Sequence, residues 1–227
     1  MAADGALRFQ DVSKTYGARA VVDRVSLVAA PGTIVAVAGA NGSGKSTLFR
    51  IAAGFVSPTN GHVDVPHEAG RIALRYLSQE RRFIHGLSTL DNLKTAAYPT
   101  ASAQAICDVL ASLRLGYLLA QRPAAMTKAS VTLMLLASAY ITEPAFFLAD
   151  EPFAGLDDSA AAHAFAILRA MRARGASVLV SDHNAALVLR LADAVHIMAA
   201  GRIVYSGTPT QVRDSDDAKR LYFRSRA

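Results

Sequence analysis

The most specific chemistry in this sequence lies in a glycine-rich segment, Gly39-Ala-Asn-Gly-Ser-Gly-Lys-Ser46. Its spacing fits G-x-x-x-x-G-K-[ST], a loop whose glycines let backbone N–H groups point inward at phosphate oxygens. In such a loop Lys45 reaches the β- and γ-phosphates as a point charge, and the Ser46 hydroxyl can ligate Mg²⁺. A glycine-rich turn with a chance lysine is the alternative, and the flanking sequence argues against it.

That flanking sequence predicts a strand and a helix. The nearly continuous apolar run Thr33–Ala38 is typical of a strand buried on both faces, and a helix ending near Ala53 is predicted to follow the loop. The N-terminus of this helix directs its positive end at the same anion. The sequence therefore predicts a nucleotide site that comprises Gly39, Asn41, Gly42, Ser43, Gly44, Lys45, Ser46 and Thr47.

Two carboxylates end a second apolar run, Phe146-Phe-Leu-Ala-Asp150-Glu151. At the end of a buried strand, Asp150 would hold Mg²⁺ directly or through water, as in a Walker B strand. Glu151 would be placed to polarise an attacking water as a general base. An acidic turn before Pro152 is plausible alone, but it is a poor explanation beside a phosphate-binding loop.

The elements that must position these residues alternate between strands and helices. Strands are predicted at 7–12, 21–29, 33–38, 61–65, 71–77, 146–149, 177–181, 194–198 and 202–205. Helices are predicted near 89–97, 102–114, 129–142, 158–174 and 184–192. This alternation favours a parallel sheet with crossover helices, and the close succession of the last two strands favours a hairpin. The purely helical stretch predicts an insertion within one α/β domain.

Composition limits the classes of function. The chain has 227 residues, of which 52% are hydrophobic and 19% charged, which excludes a disordered chain. The single cysteine, Cys107, cannot form an intramolecular disulfide, and with no secretory signal visible a reducing cytosol is expected. No apolar stretch approaches the length that a membrane span needs. The net charge of +6 suits a nucleotide, a nucleic acid or anionic lipid, although a general bias towards arginine explains it equally well.

Together these motifs resemble those of the ATP-binding subunits of ABC transporters, over nearly the whole chain. Val12-Ser-Lys-Thr-Tyr16 is similar to the family's A-loop, which implies that Tyr16 stacks on adenine; a core aromatic is the alternative. Tyr76-Leu-Ser-Gln79 is similar to the Q-loop, which implies that Gln79 touches Mg²⁺ or the attacking water.

Two further segments follow the family pattern. Ala154-Gly-Leu-Asp157 resembles the D-loop, which runs along the dimer interface. Val180-Ser-Asp-His183 resembles the segment with the switch histidine, which implies that His183 contacts the γ-phosphate. The other histidines have no such context and are predicted to be ordinary surface or packing residues; they lie at positions 62, 67, 85, 163 and 196.

Within the family, the sequence is most similar to the subgroup that serves lipopolysaccharide export and branched-chain amino acid uptake. The residues behind this are Asp150-Glu-Pro-Phe-Ala-Gly-Leu156, Ser181-Asp-His-Asn184, Gly201-Arg-Ile-Val-Tyr-Ser-Gly-Thr-Pro209 and Ala218-Lys-Arg-Leu-Tyr222.

One family motif is altered. In the family, the signature Leu-Ser-Gly-Gly-Gln opens a helix that faces the γ-phosphate bound to the opposite subunit. The corresponding segment here is Met126-Thr-Lys-Ala-Ser130, without the glycines and the glutamine. Side chains at 128 and 129 should obstruct the close approach that glycine allows, while Thr127 can still cap the helix. We therefore predict a degenerate signature; a misplaced alignment is the alternative, although Ser-Gly-Gly occurs nowhere in the chain.

The resemblance implies an α/β fold with a P-loop NTPase core sheet, an antiparallel β layer and an inserted helical subdomain. We expect residues 1–78 and 144–227 to form the core and residues 79–143 the helical subdomain. The implied catalytic residues are Glu151, His183 and Gln79, and the implied Mg²⁺ ligands are Ser46, Gln79 and Asp150.

The implied function is that of a nucleotide-binding subunit, which hydrolyses Mg-ATP at the inner face of the cell membrane and drives ABC membrane subunits. The degenerate signature predicts one half of an asymmetric heterodimer, whose second ATP-binding subunit has an intact signature. No nucleic acid partner is expected. Two alternatives stay open: a soluble ABC-type ATPase without a transporter, and a regulatory subunit that binds ATP with little turnover.

Overall fold

Two β-sheets organise the chain, which the computed structural model describes over residues 5–66, 74–79, 83–84, 86–97 and 101–224. The smaller sheet contains β1 (Leu7–Tyr16), β2 (Arg19–Ala29) and β4 (Asn60–Asp64). The larger sheet contains β3 (Ile34–Ala38), β5 (Leu74–Leu77), β6 (Phe146–Asp150), β7 (Ser177–Asp182), β8 (Ala194–Ala199) and β9 (Arg202–Gly207). The smaller sheet is antiparallel in the order β2-β1-β4, and the larger has the order β5-β6-β7-β3-β8-β9.

The helices are α1 (Lys45–Ala52), α2 (Thr89–Ala97), α3 (Ala103–Ser112), α4 (Lys128–Ile141), α5 (Asp158–Ala173), α6 (Ala185–Leu191), α7 (Pro209–Asp214) and α8 (Asp216–Arg224). Short 3₁₀ turns span Gly116–Ala120 and Pro123–Ala125. Several helices begin at a residue whose side chain accepts a hydrogen bond from the backbone of the first turn, namely Ser102, Thr127, Asp157, Asn184 and Thr208. These caps satisfy backbone donors that a helix leaves unpaired at its start.

The predicted alternation of strands and helices agrees with the observed order as far as β9, with small differences at the ends of elements; α7 and α8 then follow. The first strand continues to Tyr16 through irregular pairing rather than ending near Val12. The first helix already starts at Lys45, because Gly44 takes the capping position. The last two strands form the predicted hairpin, since β9 runs antiparallel to β8. Residues 71–73 of the predicted fifth strand lie outside the described residues.

The central strand β3 is buried on both faces, as its apolar sequence predicts. Val35 and Val37 pack in the cluster below the antiparallel sheet, whereas Ala36 and Ala38 pack with the last helices of the chain. Strands β5, β6, β7, β3 and β8 run parallel, so their carboxyl ends meet at one edge of the sheet. In open α/β sheets this edge is where ligands bind.

Between β5 and β6, α-helices and 3₁₀ turns are the only regular secondary structure among the described residues. Their core is continuous with that beneath the large sheet, because Leu93 and Leu110 belong to the same buried cluster as Val178. In the described part of the chain, no helix combines the length and apolarity that crossing a membrane requires.

Candidate active site

The glycine-rich loop between β3 and α1 packs tightly against neighbouring backbone. A Cβ atom at Gly39 would lie 2.2 Å from the Met198 backbone oxygen, and one at Gly44 would lie 2.5 Å from that of Val21. Gly42 and Gly44 have φ angles of 79° and 108°, which glycine adopts at little cost. The backbone path itself therefore favours glycine at these positions.

Lys45 is the cation at the end of this loop. Its ammonium group donates hydrogen bonds to the backbone oxygens of Gly39 at 2.8 Å and Ala40 at 2.9 Å, and the residue is 4% exposed. Burial lowers the pKa of Lys45, and nearby carboxylates, Glu151 first among them, counteract this shift. An ammonium has three N–H donors, so one remains for a phosphate oxygen after these two bonds.

Asp150 ends β6 as a buried carboxylate held by two hydroxyl groups. One oxygen accepts a hydrogen bond from Ser181, and the other accepts one from the Tyr76 hydroxyl at 3.3 Å. Burial, and next the charge of Asp150, raise the pKa of Tyr76 to about 12, so the phenol stays protonated and keeps donating at neutral pH. These bonds orient a carboxylate, the type of hard oxygen ligand that Mg²⁺ prefers.

Glu151 follows in a left-handed backbone conformation with φ of 49°, which is uncommon outside glycine. Its amide donates to the Ser181 backbone oxygen at 2.9 Å. Its Oε2 atom lies 3.6 Å from Nδ1 of His183, which follows β7. Backbone strain of this kind concentrates at functional sites, and here it brings the carboxylate of one strand end to the imidazole of the next.

These residues border a cleft of about 370 Å³ at the carboxyl edge of the large sheet. From the predicted set it is lined by Asn41, Gly42, Gly44, Lys45, Ser46, Thr47, Gln79 and Glu151. Gly39, Ser43 and Asp150 are buried. The P-loop, the residue predicted for the Q-loop and the predicted base thus share one cleft.

Tyr16 lies at the end of β1 with half of its surface exposed, 51%, so the alternative of a core aromatic does not hold. The Lys14 ammonium lies 5.1 Å from the centre of its ring. The cross-strand partner of Tyr16 is Arg19, and Arg19 and Val21 both line the cleft. The hairpin formed by β1 and β2 therefore brings an exposed aromatic residue beside two cleft residues that the sequence analysis did not identify.

The segment Met126 to Ser130, predicted to be a degenerate signature, borders a second cleft, of about 460 Å³. Its lining consists of Met126, Lys128, Val131, Ala154 and Gly155, together with Gln79 and Glu151, which also line the first cleft. The two clefts are therefore neighbours, and the predicted D-loop borders the second one.

Thr127 caps α4 as predicted. Its hydroxyl accepts a hydrogen bond from the Ser130 amide at 3.1 Å and lies 3.1 Å from the Ser130 hydroxyl, to which it donates. The proton of Thr127 is thus used within the first turn of α4. Lys128, the next residue, is exposed.

Sequence reasoning did not identify the two residues that hold Asp150. Ser181 pairs with Asp150 across β6 and β7, and Tyr76 lies on the adjacent strand β5. Both lie within segments that carry motifs, but only the strand order shows which carboxylate they contact.

The histidines at 62, 163 and 196 make local contacts with Asp64, Ser159 and Ser206, and those at 67 and 85 lie outside the described residues.

The phosphate-binding loop follows β3, and the acidic end of β6 lies at the same edge of the sheet, two strands away. This arrangement defines a P-loop nucleotide-binding protein. The protein-family model described as ABC transporter matches residues 22–154. A probable ABC transporter ATP-binding protein of Azorhizobium caulinodans is 31% identical over 97% of this chain and 83% of its own length. The lipopolysaccharide export system ATP-binding protein LptB of Acidithiobacillus ferridurans is 31% identical over 95% of each chain.

Solved structures agree with these relatives. The ATP-binding subunit of an ABC transporter matches with a TM-score of 0.82 at 27% identity, covering 97% of this chain and 99% of that one. A nucleotide-free ATP-binding cassette from an ABC transporter has the same fold, with a TM-score of 0.77 at 22% identity over 95% of this chain and 98% of its own. This chain belongs to the ABC transporter family as an ATP-binding subunit, and it is accordingly an ATPase.

Proposed function

We propose that this subunit binds Mg-ATP in the 370 Å³ cleft and hydrolyses it there with Glu151 as general base. The observation that carries the proposal is the convergence of Lys45, Gln79 and Glu151 on this cleft, with His183 3.6 Å from the Glu151 carboxylate. Close packing at Gly39 and Gly44 fixes the path of the loop, and a glycine-rich loop of this spacing cradles phosphates with its backbone N–H groups.

Each side chain has a separate task in this proposal. Lys45 binds the β- and γ-phosphate oxygens and stabilises the negative charge that they share. Glu151 accepts a proton from the attacking water, and His183 contacts the γ-phosphate. Tyr16, exposed beside Arg19, stacks on the adenine ring.

The divalent cation belongs to the same cleft. Ser46, Gln79 and Asp150 offer a hydroxyl, an amide oxygen and a carboxylate, which suit Mg²⁺. When bound there, Mg²⁺ would supply positive charge that neutralises the negative charge of the phosphates. The hydroxyls of Tyr76 and Ser181 orient the Asp150 carboxylate for this purpose.

ATP-binding subunits of ABC transporters work with membrane subunits. We propose that this subunit lies on the cytoplasmic face of the cell membrane, and that residues 79–143 form a helical unit inserted in a core of residues 1–78 and 144–227. The named relatives include lipopolysaccharide export ATPases, but the transported substrate of this chain depends on its membrane subunits.

We further propose that the chain is one half of an asymmetric heterodimer. The segment from Met126 to Ser130 has no glycine, and Lys128 and Ala129 would stand between the start of α4 and a phosphate on a facing subunit. The hydroxyl of Thr127 is already used within α4. A partner with an intact signature would complete the site built on Lys45 and Glu151, whereas the opposite site would bind ATP and hydrolyse it slowly.

Glu151→Gln tests the proposed site, because glutamine keeps the side-chain volume and removes the base. General-base catalysis contributes about 10²–10⁴-fold, so turnover by the transporter complex isolated through a tag on this chain should fall by a factor in that range. ATP should remain bound, which equilibrium binding of radiolabelled ATP measures. The matched control is Glu143→Gln, since Glu143 pairs with Arg174 at 2.9 Å outside the cleft. Unchanged turnover of the Glu151→Gln complex would contradict the assignment.

A further inference from the structure

Asp182 is a buried carboxylate for which the motifs provide no role. It is the last residue of β7, it is 1% exposed, and it pairs in register with Ala38, the residue before the P-loop. Its chain neighbours are Ser181, which holds Asp150, and His183. Asp182 therefore lies where the P-loop, the acidic strand end and the histidine loop meet.

The contacts of Asp182 link two of these loops. Its Oδ1 atom accepts a hydrogen bond from the Asn184 amide at 2.8 Å, which closes the turn that contains His183. The same oxygen lies 3.8 Å from His183 Nδ1, and Glu151 Oε2 lies 3.6 Å from that nitrogen. The backbone amide of Phe153, two residues after Glu151, also stabilises the Asp182 charge. One carboxylate thus contacts the histidine turn and faces the loop that follows the proposed base.

Stability does not explain this carboxylate. Burial raises the pKa of Asp182, which means that the folded protein disfavours its charged form. Its second oxygen, Oδ2, has no hydrogen-bond partner among the described residues. A buried, incompletely bonded carboxylate costs free energy of folding, and an amide of the same shape costs less.

We infer that Asp182 is a positioning residue for ATP hydrolysis, an inference that rests on the roles proposed for Glu151 and His183. Asp182 Oδ1 and Glu151 Oε2 flank Nδ1 of His183 at 3.8 and 3.6 Å, so the two carboxylates orient the imidazole and leave its Nε2 edge for the γ-phosphate. Asp182 also faces the backbone of Phe153 in the loop after Glu151. It thereby maintains the 3.6 Å separation between base and imidazole while touching neither water nor nucleotide.

Asp182→Asn is the decisive variant, because the amide oxygen can still accept the Asn184 hydrogen bond while the charge is removed. Misplacement of a reacting group by about 1 Å can cost up to about 100-fold, so kcat should fall by a factor between about 10 and 100. KM for ATP should change much less than kcat, since Lys45 keeps its hydrogen bonds to the Gly39 and Ala40 backbone although it loses one of the three carboxylate charges near it. Both are measured as phosphate release by the complex isolated through a tag on this chain.

Thermal unfolding distinguishes a positioning role of Asp182 from a role in stabilising the fold. Because the pKa of Asp182 is raised in the folded state, its charged form costs stability at neutral pH, and that cost disappears below the pKa of the unfolded chain. Asp182→Asn should therefore melt at or above the parental temperature at pH 7, and any gain in melting temperature should shrink as the pH falls into the range of an ordinary aspartate pKa.

The matched control is Ser177→Ala at the other end of β7, since Ser177 is fully buried and its hydroxyl has no partner among the described residues. It should leave turnover unchanged.

A double-mutant cycle tests whether Asp182 affects turnover through His183. If Asp182 acts through His183, then Asp182→Asn should change turnover little in a His183→Ala background, because residues that act as a unit are not additive. Parental turnover in the Glu151→Gln complex would reject the proposed function itself. If that complex is slow, any of three results would overturn the inference about Asp182. The Asp182→Asn complex could turn over as fast as the parent, or Asp182→Asn could slow turnover as much in the His183→Ala background as in the parent. The third result is a lower melting temperature of Asp182→Asn with a matching loss of ATP binding.

Discussion

At the scale of single residues, the buried charges of this site affect one another's pKa values. Lys45 lies near the carboxylates of Glu151, Asp150 and Asp182, and each of these raises its pKa against the effect of burial. Burial weakens screening by water, so adding or removing one charge here has a larger effect than at the surface. The P-loop cation therefore offsets the negative charge of the strand ends, and in the proposed function it also binds phosphate.

Lys45→Ala should weaken Mg-ATP binding at this site. The substitution removes a charge-assisted contact of about 1.5–3 kcal/mol, which corresponds to roughly tenfold or more in Kd. Isothermal titration calorimetry on the purified chain measures the change.

Lys94→Ala is the control for Lys45→Ala, because Lys94 is a partly exposed lysine that pairs with Asp91 on the same helix at 3.2 Å. It should bind Mg-ATP as the parent does. Equal affinity of the Lys45→Ala chain and the parent would show that the Lys45 ammonium does not contact the phosphates.

At the scale of elements, the start of α4 contains the segment that we propose to be a degenerate signature. Its first residues are Lys128 and Ala129, and Thr127 caps it through the Ser130 amide at 3.1 Å. The cap stabilises the helix whether or not the motif contacts nucleotide. Helix stability and the proposed loss of signature function can therefore be measured separately.

Thr127→Ala should destabilise the fold by about 0.5–2 kcal/mol, because it removes the side-chain acceptor at the start of α4. Thr127→Ser keeps the hydroxyl and should retain most of that stability. Urea unfolding of the purified chain measures both, and ATP affinity at the P-loop should not change in either variant. If Thr127→Ser loses as much as Thr127→Ala, the methyl group rather than the cap stabilises this turn.

At the scale of the whole molecule, the proposed degeneracy of the signature predicts whether the isolated chain dimerises and how fast it hydrolyses ATP. A homodimer would pair two sound P-loops with two degenerate signatures, so both sites would lack close backbone donors. Losing one such donor costs about 2.7–4 kcal/mol of transition-state stabilisation in comparable sites. The subunit alone should therefore be a weak ATPase and largely monomeric with ATP.

Light scattering after size exclusion, with Mg-ATP present, gives the mass, and phosphate release gives the rate. The Glu151→Gln variant serves as the sensitive control, since slow hydrolysis would preserve any ATP-bound dimer that forms. A matched variant with Lys128→Gly and Ala129→Gly restores close approach and should increase dimerisation. A stable, rapidly hydrolysing parental homodimer would mean that the segment from Met126 to Ser130 works as a signature.

The order of strands and helices and the phosphate-binding loop could be predicted from the sequence, because both depend on local spacing. The apolar run Thr33–Ala38 predicts the strand Ile34–Ala38, and the spacing of Gly39 to Ser46 predicts the loop that follows it. The predicted helices near 89–97 and 158–174 are observed at Thr89–Ala97 and Asp158–Ala173, since apolar periodicity and end signals are also local.

The tertiary structure alone decided which side chains meet at the edge of the sheet. Ser181 reaches Asp150 because β6 and β7 are neighbours, and Tyr76 reaches it because β5 lies on the other side. Asp182 lies beside the P-loop because β7 also pairs with β3, although many residues separate them in the chain. Spacing along the chain records only local geometry, whereas these contacts depend on strand order, register and the burial that follows from them.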